Sequence, residues 1–208
     1  MLSPLVAGAV ASQEGIHVDD QYLSSHELDP IVVALGATTH DAAQAVHELQ
    51  AAAEDKVRSV ADDHPDTMDL VTGTAAVEDL SDDARRAVGD ATLRVVATRL
   101  ALESAVETLY DDLSQTREAR EIADRWQYCM TRRGYTYDDP TELELDLLNP
   151  RSNRQSTITD VLGARDACLK VVDLATDRLV LRQIPDWKQQ NSAKLSAYHK
   201  ALDEYANQ

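Results

Sequence analysis

The sequence is short of the residues that build β-sheets, redox sites and membrane spans. It has no Phe, 4% aromatic residues, seven Gly and two Cys in 208 positions. Strands need β-branched or aromatic runs bounded by turn residues, and few such runs occur. No stretch reaches the roughly 18 apolar residues of a transmembrane helix. The cysteines form no Cys-x-x-Cys pair, which argues against a thioredoxin-like motif or a zinc knuckle.

Positive charge is also scarce. Twenty Lys and Arg stand against 37 Asp and Glu, and the formal net charge is −17. Nucleic acids and anionic membrane surfaces are themselves negative, so the charge argues against both as partners. The sequence contains no GxSxG, P-loop, GxGxxG or HExxH signature. We therefore expect neither enzymatic activity nor a cofactor.

What the sequence does contain is Ala, Leu, Val and charged residues, with 43% apolar and 27% charged positions. This composition is typical of long helices packed side by side. It predicts an all-α fold, an elongated antiparallel bundle or hairpin, with an N-terminal segment over 1–36 and a helical domain over 37–208. Within 1–15, Ala9-Val10-Ala11 fits an A-x-A cleavage pattern. That segment is either the end of a signal peptide or anchor, or an ordinary N-terminus.

Capping signals locate the first helices. Asp29-Pro30 predicts the start of a short helix that Gly36 ends. Thr38 or Thr39 predicts the cap of a second helix, whose apolar stripe continues to Val60.

The central element is predicted over residues 82–133. Apolar residues recur there at alternating three- and four-residue steps, a spacing typical of a coiled-coil seam. Arg132-Arg133-Gly134 is a good helix stop, because cations favour the C-terminal dipole and Gly favours the position after the helix. The pattern predicts one long helix, which needs another antiparallel helix to cover its apolar stripe.

The remaining sequence predicts a connector over 135–155, with a short helix within Thr141–Leu148, and then a further helix. That helix starts near Ser156-Thr157 and is kinked or broken at Pro185. Its predicted packing face consists of Val161, Ala164, Cys168, Val171, Ala175 and Leu179.

The two cysteines lie on the predicted packing faces of two helices. Cys129 is near the end of the central helix, and Cys168 is on the stripe of the helix after the connector. An antiparallel arrangement would bring these faces together. From their spacing, the cysteines could form a disulfide or remain two buried free thiols. A disulfide would imply an oxidising compartment.

A sequence resemblance bears on this choice. The run Trp126-x-x-Cys129-Met130-x-x-x-Gly134-Tyr135-x-Tyr137-x-x-Pro140 resembles a motif of secreted proteins and lipoproteins of actinobacteria. The family continues with an Ala/Asp-rich helix, A-x-A-D-x-x-C, to which residues 164–168 are similar with the Asp shifted and one small residue missing. The resemblance covers about residues 120–206. It implies an exported, largely helical protein in which Cys129 and Cys168 pair, and it implies no reaction.

The aromatic residues of this motif alternate with arginines. Tyr, Trp and Arg are the residues that most often anchor protein interfaces. They could instead cover the disulfide and close the end of the bundle. The candidate interface consists of Trp126, Tyr128, Arg132, Arg133, Tyr135 and Tyr137.

Three functions remain open from the sequence. The first is a non-catalytic, extracytoplasmic interaction or structural protein of the cell envelope, with a protein partner and compatible with a homo-oligomer. The second is a cytoplasmic helical scaffold or assembly subunit with free thiols. The third is a helical-bundle metalloprotein using His40, Gln44 and His47, which share a helix face but lack the usual Glu-x-x-His pairs.

Overall fold

The structure is a computed structural model, and it describes residues 28–73, 76–148 and 158–208. The described part consists of α-helices and one 3-10 turn (Val77–Asp79), without a strand, so the predicted all-α fold is confirmed. Residues 1–27 of the predicted N-terminal segment lie outside the described residues, with their signal-peptide interpretation. So do Ser156 and Thr157, the predicted start of the helix after the connector. The helices are α1 (Pro30–Ala34), α2 (His40–Arg58), α3 (Asp66–Val71), α4 (Asp82–Val88), α5 (Asp90–Ser114), α6 (Arg117–Arg132), α7 (Pro140–Leu148), α8 (Ile158–Gln190) and α9 (Ser192–Ala206).

The chain divides into two compact units. The first takes in the chain up to Leu109 together with Leu181–Gln208, and the second is Tyr110–Val180. Among the described residues of the first unit, α2 contacts α1, α3 and α9. Its buried core includes Ile31, Val32, Val33, Val46, Val57, Leu70, Leu102, Tyr198 and Leu202.

The predicted caps of the first unit are confirmed. The Asp29 carboxylate accepts hydrogen bonds from the backbone N–H of Ile31 and Val32, and Pro30 occupies the first turn, where no backbone N–H is needed. Gly36 follows this helix with a φ of +95°. The Thr39 hydroxyl caps α2 by accepting from the N–H of Ala42. These caps fix where both helices begin.

The prediction of one continuous helix over 82–133 is wrong, because the chain leaves the helical conformation twice. Gly89, with a φ of +91°, separates α4 from α5. Thr116 separates α5 from α6: its hydroxyl donates to the carbonyl of Leu113 and accepts from the N–H of Ala119. One side chain thus helps to end one helix and caps the next. The predicted stop is confirmed, since α6 ends at Arg132 and Gly134 has a φ of +89°.

The second unit packs around the end of α6. Its buried core consists of Trp126, Met130, Tyr137, Leu143, Val161, Ala164, Cys168 and Val172. The short helix predicted within Thr141–Leu148 is confirmed as α7, which buries Leu143.

Two details of the helix after the connector differ from the prediction. Val171 is 60% exposed, and the core position belongs to Val172. Val172 is four residues from Cys168 and so lies nearer the Ala164–Cys168 line than Val171 does. Pro185 does not interrupt α8, which continues to Gln190, and the interruption comes at Asn191 instead. Near the end of α8, the Trp187 indole donates to the carbonyl of Ala105, 3.0 Å away, within the first unit.

Candidate functional site

The disulfide fixes the candidate site in the second unit. Cys129 on α6 and Cys168 on α8 have their sulfur atoms 2.06 Å apart and their Cα atoms 5.6 Å apart. The Cα separation is ordinary for a disulfide. The pairing that the resemblance implies is therefore present, and the alternative of two free thiols is not what the structure shows. Such a bond fits an oxidising compartment.

Two of the predicted interface residues belong to the core around this disulfide. Trp126 is 2% exposed and Tyr137 is 8% exposed, so neither offers a surface to a partner. Tyr137 also donates its hydroxyl to Asp146, 2.9 Å away, which ties the connector to α7. Tyr135 is half-buried and packs against the same core. These three aromatic residues therefore pack around the disulfide, which is the alternative to an interface role that the sequence left open.

The other predicted interface residues remain on the surface. Tyr128 is 66% exposed, and the side chains of Arg132 and Arg133 are exposed beside it. Together with α8 they form a shallow groove of about 460 Å³, here called the Tyr128 groove. It is lined by Arg125, Tyr128, Cys129, Arg132, Arg133 and Val171.

The Tyr128 groove carries uncompensated positive charge. Half of its lining residues are arginines and none is acidic, in a chain whose net charge is −17. Among the described residues, the side chains of the three groove arginines have no ion pair or hydrogen bond. Of the ten other arginines in the described residues, six bind carboxylates: Arg58, Arg86, Arg94, Arg99, Arg117 and Arg165. The groove can therefore offer free guanidinium donors next to the apolar surfaces of Tyr128 and Val171.

A second cluster of polar side chains lies in the first unit. Asp29, the cap of α1, has a carboxylate oxygen 3.0 Å from Nη2 of Arg99 and 3.6 Å from Nε2 of His47. Arg99 also binds Glu103 through Nε at 2.8 Å, and Tyr198 donates its hydroxyl to Gln50 at 3.3 Å. We call Asp29, His47, Arg99, Glu103 and Tyr198 the Asp29 cluster.

Burial and charge shift the pKa values of Asp29, Arg99 and Tyr198. Burial opposes the charged carboxylate, but hydrogen bonding from His47 and the positive charge of Arg99 outweigh it and lower the pKa of Asp29 to about 2. Burial opposes the charged guanidinium too, yet Asp29 and Glu103 raise the pKa of Arg99. Burial raises the pKa of the Tyr198 hydroxyl well above its ordinary value, although Arg99 opposes this. The Asp29 cluster thus joins α1, α2, α5 and α9.

Sequence reasoning missed the Asp29 cluster, although it identified Asp29 as a cap. Its members are far apart in the chain, and no spacing rule connects them. The available signal is Arg99, a permanent charge in a stretch of α5 whose apolar residues include Val96 and Leu102. A charge in such a place needs a buried partner.

The predicted metal face on α2 is used otherwise. Gln44 donates to Glu48 at 2.9 Å, and His47 contacts Asp29. In the part of the chain that the structure describes, no three His, Cys, Asp or Glu side chains are grouped so as to hold a metal ion. The His40, Gln44 and His47 face is therefore not assembled as a metal site.

Comparisons with known proteins add no assignment. The chain matches no family model, no curated protein and no solved structure. The resemblance to the actinobacterial family stays a prediction. Over 28–73, 76–148 and 158–208, no helix is both long and apolar enough to cross a membrane.

Proposed function

We propose that the protein is a non-catalytic, extracytoplasmic helical protein of the cell envelope that binds a protein partner through the Tyr128 groove. The observation that carries this proposal is the combination of an exposed tyrosine with three unpaired arginines beside a disulfide. Tyr and Arg dominate the energetics of protein interfaces because each combines apolar area with directed hydrogen bonding. On an acidic chain, such a surface favours an anionic segment of a partner protein.

The disulfide supports the extracytoplasmic part of the proposal. Disulfides persist outside the cytoplasm and are rare within it, where thiols are kept reduced. Cys168 is fully buried within the core of the second unit. The bond therefore serves the packing of that unit, which supports a chain built for an oxidising compartment rather than a cytoplasmic scaffold with free thiols.

Site-specific photo-crosslinking in the native host tests the partner surface. A photoreactive amino acid replaces Tyr128 in one variant and Tyr110, a 42% exposed tyrosine of the same unit, in a matched control. The proposal predicts a discrete adduct from position 128 and none of that mass from position 110. Adding Arg132→Ala should remove the adduct, because a groove arginine is lost. No adduct from position 128, or one that ignores Arg132→Ala, would refute the proposed surface.

A further inference from the structure

The second unit contains a helix whose exposed face complements the Tyr128 groove. On α7, Leu145 is 65% exposed and Leu148 is 78% exposed. They are three residues apart and so share one face of the helix. Glu142 and Glu144 are both exposed, and at 3.6 residues per turn they lie on either side of the two leucines. This face, here called the α7 acidic face, is apolar in its middle and negative at its edges.

The groove has the opposite arrangement. Tyr128 and Val171 offer apolar surface, and Arg125 and Arg132 carry the positive charge. Arg125 and Arg132 are seven residues apart, about 10 Å along α6 at 1.5 Å per residue. An amphipathic helix with leucines between carboxylates satisfies both parts of such a groove.

The α7 of the same copy is not the occupant. None of the residues that line the Tyr128 groove comes from α7. The helix is also held in its own place, because Leu143 is fully buried in the core and Asp146 binds the Tyr137 hydroxyl. Within the same copy, the Glu142 carboxylate accepts a hydrogen bond from the backbone N–H of Asp138 at 2.7 Å, and Glu144 lies 3.9 Å from Nη1 of Arg165, yet both side chains are exposed. Groove and acidic face are thus two separate exposed surfaces of one chain.

We infer that the partner at the Tyr128 groove is a second copy of this chain, whose α7 acidic face docks there. The inference rests on the proposed function and names its partner. Charge complementarity favours the second copy, since the chain itself presents the acidic, leucine-bearing helix that the groove requires. Two such contacts form at once if the copies are related by a two-fold axis, because each copy then supplies one groove and one helix.

A charge-exchange experiment on the purified full chain tests this inference. One variant makes the groove acidic (Arg125→Glu with Arg132→Glu), and the other makes the helix basic (Glu142→Lys with Glu144→Lys). Sedimentation velocity is measured at about 0.15 M salt, where the Debye length of about 8 Å screens the net charge of the two copies. The parent chain should move from 22.9 kDa towards a multiple of that mass as its concentration rises.

The expected pattern is specific. Each variant alone should associate at least tenfold more weakly than the parent, since its contacts then bring like charges together. An equimolar mixture should recover association, because the acidic groove meets the basic helix and the native groove meets the native helix. This recovery also shows that both variants are folded. Leu145→Gln with Leu148→Gln should weaken association as well, whereas Met68→Gln, an exposed apolar residue of the first unit, should not.

Two results would overturn the inference. The first is a parent chain that stays at 22.9 kDa over the whole concentration series. The second is a mixture of the two variants that associates no better than either alone. The crosslinking at position 128 separates this failure from failure of the proposed function. An adduct with a different protein, together with a monomeric purified chain, keeps the groove as an interface and rejects the second copy, whereas the absence of any adduct rejects both.

Discussion

At the scale of single residues, neighbouring aromatics on one helix have opposite roles. Trp126 and Tyr128 are two positions apart on α6, so their side chains point to nearly opposite sides. Trp126 is 2% exposed and belongs to the core, whereas Tyr128 is 66% exposed and lines the groove. The motif that predicts an interface therefore combines side chains buried in the core with exposed side chains.

This division predicts different effects on stability. Trp126→Ala removes a fully buried side chain and should lower the free energy of unfolding by about 3–5 kcal/mol. Tyr128→Ala should change it by less than about 0.5 kcal/mol, because an exposed side chain is removed. Urea denaturation followed by circular dichroism measures both. A Tyr128→Ala variant as unstable as Trp126→Ala would show that Tyr128 serves the fold rather than a partner.

The Asp29 cluster should make the stability of the fold depend on pH. The pKa of Asp29 is about 2 in the folded chain, against the ordinary 3.8 that applies on unfolding. The stabilisation, about 2 kcal/mol, is complete above pH 4 and is lost as the pH falls through 2. Asp29→Asn should cost about 3 kcal/mol at pH 7, because it leaves the guanidinium of Arg99 without its main counter-charge.

The pH dependence of stability distinguishes the loss of the ionised Asp29 carboxylate from a general effect on packing. The stability difference between the parent and Asp29→Asn should shrink between pH 4 and pH 2, as measured by urea denaturation. Asp62→Asn, which changes an exposed aspartate, is the matched control and should follow the parent throughout. If the stability difference between the parent and Asp29→Asn stays constant down to pH 2, the ionised carboxylate does not stabilise the Asp29 cluster.

At the scale of elements, what could be predicted depended on how local the signal is. The caps at Asp29 and Thr39 and the stop at Gly134 follow from a few adjacent residues, and the structure has them. The break at Thr116 could not be seen, because Thr116 and Ala119 keep the three-residue spacing from Leu113 and are both half-buried. Hydrophobic periodicity shows which residues face the core. If both helices on either side of an interruption bury the same face, the periodicity does not reveal the interruption.

The break at Gly89 predicts opposite effects of one substitution at two glycines. Gly89 has a φ of +91°, whereas Gly163 lies within α8 without a positive φ, and a Cβ at either site would meet no atom within 4 Å. Gly89→Ala should therefore cost about 1–3 kcal/mol through backbone strain alone. Gly163→Ala should gain about 0.5–1 kcal/mol, since Ala is the better helix former. Thermal unfolding measures both, and equal effects would argue against a fixed break at Gly89.

At the scale of the whole molecule, the disulfide connects the account of the fold with that of function. Cys129 and Cys168 are 39 residues apart in sequence. Their sequence spacing also allowed free thiols, and the packing of α6 on α8 brings the two sulfur atoms together. The Asp29 cluster also depends on long-range packing, because its residues are far apart in the sequence and meet only in the folded chain. Local signals thus predicted helices, and long-range packing determined which side chains meet.

The disulfide should also stabilise the molecule measurably. Closing a loop of this length restricts the unfolded chain and is worth about 4 kcal/mol on the chain-entropy estimate. Urea denaturation with and without reductant measures the difference. Tyr128→Ala should lose the same amount on reduction, since Tyr128 contributes little to the fold. Equal stability with and without reductant would show that the disulfide does not stabilise the fold.

A disulfide-bonded protein that works outside the cytoplasm should carry its disulfide in the native host, and the redox state of the chain there can be measured. The protein is purified under conditions that block exchange, alkylated with or without prior reduction, and weighed intact. We expect no label before reduction and two labels after it. Two labels without reduction would contradict the claim, because the cysteines would then be free thiols where the protein works.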